Sequence, residues 1–540
     1  MPPNRNRYMI HVIPRPVLVH ELQGALDPSS LGTILVEGEV SSINSLARKF
    51  LEDILEKELC ILSMDDDLAK TGIEGYIMLS KDDNLAKTGN EGYILDVKKE
   101  GVSIRARDAR GLFYGVQTTR QLAWGAKNGI SGSESPRNIP CVRIVDFPRF
   151  QWRGFMLDVS RHFFDVETVK QLLDAMALLK LNKFHLHLTD DQGWRIQVDR
   201  YPKLSTIGSN REESQTGGFL SRKSDGKPHG GFFTKGDIKE ILEHASNRYI
   251  QVIPEIEMPG HCTAALASYP ELSCTGGPFK VATTSGIKKD VYCAGKEKVY
   301  RFLEGVLDEI VALFPSPVIH IGGDEAPRKR WKNCADCQAM IESKELDNED
   351  ELQAFFTSRM VEYLESKGRK AMGWNEMLRG GFDKDAVVQY WLKDKKHVLN
   401  HLRHGGKAVM SHFFHVYLDY NHGVIPLSKT YEYDPIPKKL KKPWHGNVLG
   451  IEAPMWTEFA EDRHHVHVFV FPRLIAVAEN AWTPRSRKDF KSFTKRLSTV
   501  QEMLSRLGIE CTPLDLAEPK GLKKLLLKIK IYKQSSELPS

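Results

Sequence analysis

Eight short apolar runs, separated by stretches of helical periodicity, predict an α/β protein: a (β/α)8 TIM barrel preceded by a smaller α+β domain. Two further observations point to that class. A Gly-, Ser- and Pro-rich stretch at 125–140 has no apolar period and reads as a loop near a domain boundary. Polar and ionisable residues gather at the ends of the apolar runs, where such a barrel keeps its chemistry.

The first segment, 1–142, reads as α+β. Its clearest part, SIRARDARGLFYGVQTTRQLA, passes from strand-like alternation to a helix. It also holds a direct repeat: LSMDDDLAKTGIEGYI (62–77) recurs as LSKDDNLAKTGNEGYI (79–94), offset by 17 residues. Two copies are too few for a solenoid. The duplication predicts an extra turn and strand, with a duplicated binding loop as the functional alternative.

The barrel is expected over 143–515. Its strands are RGFMLDVS (153–160), KFHLHLTD (183–190), YIQVIPEIE (249–257), VIHIGGDE (318–325), KAMGWNEM (370–377), AVVQYW (386–391), KAVMSHF (407–413) and VLGIEAPMW (448–456). Amphipathic helices such as VETVKQLLDAMALLK and DIKEILEHASNR fit between them. Parallel strands need crossover connections, and eight of them close a barrel.

Residues 516–540 form a basic tail. Six lysines and one Glu at 520–540 carry +5 of the net +6, so the remaining body is nearly neutral and unlike a nucleic-acid binder. The segment KGLKKLLLKIKIYK reads as a solvated end, or as a contact for anionic membrane or polymer. No run of about eighteen apolar residues predicts a transmembrane helix. The first residues show no apolar signal region, so the compartment stays open: an intracellular protein, or one whose leader is missing from this sequence. No Asn-x-Ser/Thr sequon occurs, which argues against heavy glycosylation. Nucleotide-binding motifs are absent, and no cofactor is expected.

The strand ends carry Asp158, Ser160 and Arg161; Thr189, Asp190 and Asp191; Glu255, Glu257 and His261; Asp324 and Glu325; Asn375 and Glu376; Trp391; and Glu452, Trp456 and Glu458. Burying unpaired carboxylates is costly. Rim salt bridges account for some of them, but not for seven strand ends together. The sharpest segment is HIGGDEAP (320–327), where two glycines bend the chain and two carboxylates follow. Paired carboxyls in different environments suit an acid and a partner with another task, as cleavage of a glycosidic bond requires. Trp374, Trp391 and Trp456 near strand ends predict the walls of a sugar site, although any one alone reads as core. Tyr417 and Asp419, in FFHVYLDYN, add hydrogen-bonding groups.

With these segments in view, the chain resembles the β-N-acetylhexosaminidases, glycoside hydrolase family 20. The matching pieces are RGFMLDVSRHF, KFHLHLTDDQGWR, IPEIEMPGH, HIGGDEAP, MGWNE, YLD and APMWTE, in the family's order across roughly 9–510. The resemblance implies that Glu325 is the general acid/base and that Asp324 orients the substrate's 2-acetamido group. It implies that the acetamido oxygen attacks the anomeric carbon, giving an oxazolinium ion with retained configuration. Tyr417 would hold that oxygen, and Trp374, Trp391 and Trp456 would enclose the methyl group. Arg161, Asp419 and Glu458 would bind ring hydroxyls, and Asp190 with His261 would form a relay behind Glu325. The implied substrate is a glycan with terminal β-linked N-acetylglucosamine, with N-acetylgalactosamine as a second accepted sugar. A silent sugar binder on the same barrel, or a family 20 enzyme with another aglycone or disaccharide preference, are the alternatives. The family is usually extracytoplasmic, and a monomer or homodimer is expected.

No metal site is expected. His185 and His187 share a strand face and read as a hydrogen-bonded interior pair rather than ligands of an amidohydrolase-type metal. Cys334 and Cys337 form a CxxC for which no second pair is evident, so a loop disulfide or free thiols is expected. Cys274 and Cys293 flank a loop that the family often bridges, which implies a disulfide between them.

Overall fold

The computed structural model describes residues 10–37, 41–64, 75–130, 137–381 and 385–529. The N-terminal part is a seven-stranded mixed sheet. Its strands are β1 (Leu18–Leu26), β2 (Thr33–Glu37), β3 (Cys60–Ser63), β4 (Tyr76–Lys81), β5 (Tyr93–Val97), β6 (Gly101–Ala106) and β7 (Ile139–Asp146), in the spatial order β1-β7-β5-β6-β4-β2-β3. Helices α1 (Ser41–Leu55) and α2 (Ala109–Lys127) pack on each other. Asp108 caps α2 by accepting from the Arg110 backbone N–H.

The repeat lands in this sheet. Each copy ends as Gly-Tyr-Ile entering a strand, β4 in the first and β5 in the second; residues 65–74 lie outside the described residues. The second copy faces the barrel. Glu91 takes both Nη atoms of the buried Arg153, at 2.9 and 2.8 Å. Tyr93 donates to Asp146 at 2.7 Å, and Asp146 also pairs with the buried Lys180 at 3.1 Å. These residues join the two parts, so Glu91 and Tyr93 at the end of the second copy are bound up in structure.

The eight strands of the second part close a parallel barrel, as the sequence predicts. They are β8 (Trp152–Asp158), β9 (Lys183–His187), β10 (Gln251–Glu255), β11 (Val318–His320), β12 (Lys370–Trp374), β13 (Val387–Tyr390), β14 (Lys407–Met410) and β15 (Val448–Met455), with β15 pairing back to β8. Several stop sooner than their apolar pattern suggests. β11 was expected to reach Glu325 but ends at His320, because Gly322 and Gly323 take φ of 64° and 103°. At Gly322 this freedom is obligatory: a Cβ there would sit 1.8 Å from Glu257 Oε2. β12 likewise gives way at Asn375 to a 3-10 turn, Asn375–Leu378.

Past the barrel a helix, Gly521–Ile529, occupies the expected tail and leaves Leu522, Leu525 and Leu526 exposed. Residues beyond 529 lie outside the described residues. Among the described residues no helix is long and apolar enough to cross a membrane.

Candidate active site

The barrel interior is polar where a core would ordinarily be apolar. Register sets Glu255 beside His187 on one side and His320 on the other. Glu255 Oε1 lies 2.6 Å from His320 Nδ1 and accepts from the Trp374 indole at 2.9 Å. Its Oε2 meets His187 Nδ1 and lies 3.0 Å from His185 Nε2. His185 Nδ1 turns to Glu452, 2.8 Å away. Thus His185 and His187 are an interior pair held by carboxylates. Glu452, read from sequence as a mouth residue, is instead deep in the barrel, bonded to Trp152 and Gln389 at 2.8 Å each. The reason is register: it pairs with Gly154, several residues before the strand end.

Burial pulls the two histidines down, but Glu255 and its fellow carboxylates outweigh it, raising His185 to about 9 and His187 to about 10. A folded-state pKa above the unfolded value of 6.5 means that the folded protein binds the extra protons. That stability is complete below pH 6.5 and is lost as pH rises through 9 to 10. The thermal midpoint should therefore decline across that window. A midpoint that stays flat to pH 10 would show these histidines to be neutral.

Above this layer the chain reaches the mouth. His187 Nε2 contacts Asp190 Oδ2 at 2.9 Å, and Asp190 Oδ1 contacts His261 Nδ1 at 3.1 Å. Asp191 Oδ2 is 3.3 Å from the same nitrogen. The other ring nitrogen, Nε2, looks toward Asp324 Oδ2 at 3.9 Å and Glu325 Oε2 at 3.8 Å. His261 thus stands between Asp190 and the Asp324–Glu325 pair. Both His261 (φ 48°) and Glu325 (φ 44°) have left-handed backbones, which cost of order 1–3 kcal/mol each and persist where the surroundings enforce them. The strain falls on the two residues that face each other here.

Electrostatics separates the members. Burial lowers His261, but Asp190, Asp191 and Asp324 together hold it well above the usual histidine value. Burial also works against ionised Asp190, yet Arg161, His261 and His187 keep it well below the usual carboxylate range. Asp324 goes the other way: burial, joined by Glu376, Glu325 and Glu255, pushes it up to about 8 despite His261. The Asp324 side chain is 13% exposed and that of Glu325 is 35% exposed. Glu325 is therefore the member that reaches outward, and Asp324 the one pressed inward. Asp324 Oδ1 has no hydrogen-bond partner among the described residues.

Arg161 is the hub of the opposite wall. It binds Asp158 at 3.1 Å, Asp190 at 2.8 Å and Gln192 at 3.0 Å, and lies 4.0 Å from Glu458. Its guanidinium also sits 4.9 Å over the Trp456 ring. Trp456 is 5.8 Å from Trp374 and 6.3 Å from Tyr417, which stacks on Trp391 at 6.1 Å. The three tryptophans and Tyr417 make one continuous aromatic wall. Burial, with Asp419 and Asp324 nearby, holds the Tyr417 hydroxyl well above its usual value, so it stays protonated as a donor. Burial and Glu458 raise Asp419, whose Oδ1 is also without a partner among the described residues.

All eleven residues singled out from the sequence as catalytic or sugar-binding therefore gather at one end of the barrel. Others were underused. Glu376 accepts from the Trp391 indole at 2.9 Å, and its place in MGWNE was the available signal. His187 links Glu255 to Asp190, a role that spacing alone does not disclose. The cysteines require a correction. No disulfide joins Cys274 to Cys293, and none of the eight cysteines is disulfide-bonded. The second pair that Cys334 and Cys337 seemed to lack is Cys274 and Cys293: the four sulfurs lie within 4.8 Å of one another. Sequence hid this because 41 residues separate Cys293 from Cys334.

A model of the glycosyl hydrolase family 20 catalytic domain matches residues 150–485, and a model of domain 2 of that family matches 9–147. The chain belongs to glycosyl hydrolase family 20. This family 20 chain is 40% identical over 422 residues to the β-hexosaminidase of Porphyromonas gingivalis, covering 76% of this chain and 53% of that one. It thus spans about half the length of that relative. The β-N-acetylhexosaminidase of Cellulomonas fimi is 30% identical over 527 residues, 92% of this chain and 95% of its own. A crystal structure of the exo-β-N-acetylglucosaminidase of Vibrio harveyi in complex with N-acetylglucosamine has a TM-score of 0.80 at 28% identity, covering 95% of this chain and 80% of that one.

Proposed function

We propose that this family 20 chain is an exo-acting β-N-acetylhexosaminidase that removes terminal β-linked N-acetylglucosamine, and N-acetylgalactosamine as a second substrate. In this reading the configuration is retained and the sugar's own acetamido group is the nucleophile. The observation that carries the reading is the placement of the two carboxyls. Oxygens of Asp324 and Glu325 lie within 4.8 Å of each other and of His261. They share one side of the mouth, whereas an inverting pair sits about 6.5–9.5 Å apart with water between. A retaining acid and carboxylate nucleophile, about 5–5.5 Å apart, flank the sugar from opposite faces; two adjacent residues on one side suit a proton shuttle beside a counter-charge, with an acetamido oxygen held by Tyr417 as nucleophile.

Glu325 protonates the leaving oxygen, with His261 and Asp190 behind it. Asp324, pressed inward with an unpartnered Oδ1, accepts the acetamido N–H. As the oxazolinium forms, positive charge builds beside Asp324, so the interaction strengthens in the transition state. The aromatic wall takes the methyl group and the sugar's apolar face. Arg161, Glu458 and Asp419 take ring hydroxyls. The names and the N-acetylglucosamine complex among the similar proteins support the same substrate class.

The test is a matched set of aryl β-glycosides: 2-acetamido-glucoside, 2-acetamido-galactoside and plain glucoside. Cleavage of the acetamido sugars alone is the expected outcome. Equal cleavage of the plain glucoside would mean a protein nucleophile. Binding of sugar without cleavage would mean a silent binder.

A further inference from the structure

We propose that Cys274, Cys293, Cys334 and Cys337 form a structural zinc site that clamps the loop after β10 to the loop after β11. The sulfurs are placed as a tetrahedral ion would need them. Cys293 Sγ is 3.6 Å from Cys334 Sγ and 3.5 Å from Cys337 Sγ, and Cys274 Sγ is 3.9 Å from Cys337 Sγ. A zinc–sulfur bond of about 2.3 Å in a regular tetrahedron puts neighbouring sulfurs about 3.8 Å apart. A disulfide needs about 2.05 Å and pairs each sulfur once. Cys293 instead lies almost equally near two partners, which suits a shared centre.

The backbone is shaped to the same end. Cys334 stands at the N-cap position of the helix Ala335–Ser343, and Cys337 lies in its first turn. Both sulfurs therefore sit at the positive end of that helix, which favours thiolates. Gly295, two residues past Cys293, is where the two loops touch: a Cβ there would lie 2.2 Å from the Asp336 carbonyl and 2.4 Å from the Cys337 nitrogen. Glycine at 295 lets the two cysteine pairs close on each other. Cys293, Cys334 and Cys337 are buried, and Cys274 half-buried.

Four protein sulfurs fill a tetrahedral ion, so the site is closed to substrate and its work is structural. On binding, the thiols release their protons to solvent. The clamped loops are those that matter for the mouth. The first runs from His261 to Cys293 and includes Thr284, whose carbonyl holds Gln192 against Arg161. The second begins at Asp324 and Glu325. An ion pair between Arg330 and Asp290, at 2.6 Å, joins the same two loops.

Metal analysis of the full chain, purified under reducing conditions with zinc supplied, should find one zinc per chain. Removing it with a strong chelator should lower the thermal midpoint, and zinc should restore it. A C334S/C337S double variant should hold no zinc and show no chelator response. In cobalt-exchanged protein the intense thiolate charge-transfer bands of a tetrahedral sulfur site should appear. The proposal fails if the untreated chain holds no stoichiometric metal and all eight cysteines titrate as free thiols. It also fails if the non-reduced mass is lower by four hydrogens, the mark of two disulfides. One iron in place of zinc would keep the clamp but overturn the choice of ion.

Discussion

Replacing Glu325 with Gln should lower kcat/KM for substrates with poor leaving groups by about 10²–10⁴ or more, the usual worth of a positioned general acid. Gln keeps the shape and a polar end, but it has no proton to give to the departing oxygen. The loss should depend on what departs. An alkoxide from a sugar needs protonation as its bond breaks, whereas a strongly acidic phenol leaves well as the anion. The variant's deficit should therefore shrink steeply from a chitooligosaccharide to an aryl glycoside with an acidic phenol. Far-ultraviolet circular dichroism and the thermal midpoint should stay at wild-type values, because the Glu325 side chain is a third exposed and its contact to His261 is long, 3.8 Å. An unchanged rate, or one loss for all leaving groups, would remove Glu325 from the proton-transfer role.

The barrel was legible because its strands read as short, mostly apolar runs between helical stretches, although His185, His187, Glu255, Gln389 and Glu452 put polar groups inside it. Strand ends were less so. β11 reads as strand through Glu325 by hydropathy, but Gly322 takes a left-handed turn, with Glu257 Oε2 where a Cβ would lie. That turn is what brings two adjacent carboxyls to one side. Identities at the mouth could be read from short segments, since Asp324, Glu325, Trp391 and Tyr417 all lie within a few residues of a strand end. Depth could not. Glu452 and Glu458 look alike in a list of carboxylates, yet one bonds within the barrel and the other faces Arg161. The cysteine cluster was invisible for another reason: its two halves sit on separate crossovers and meet only when the barrel closes.

Replacing Asp324 with Asn should cost about 10²–10³ in kcat/KM, the scale seen when one preorganised electrostatic partner of a transition state is removed. The signature should differ from that of Glu325. In the proposed mechanism Asp324 serves the ring-closing step, in which the acetamido oxygen bonds to the anomeric carbon and its nitrogen becomes cationic. Its loss should then be similar for good and poor leaving groups. Burial and its carboxylate neighbours push Asp324 up to about 8. In the proposed mechanism the positive charge of the developing oxazolinium favours ionised Asp324. Asn can accept a hydrogen bond but cannot offset that charge. The variant should bind N-acetylglucosamine, through Arg161, Glu458 and the aromatic wall, far better than it turns over substrate. If Asp324→Asn kept the wild-type rate, or lost only affinity, assistance by the substrate's acetamido group would be the wrong chemistry for this mouth.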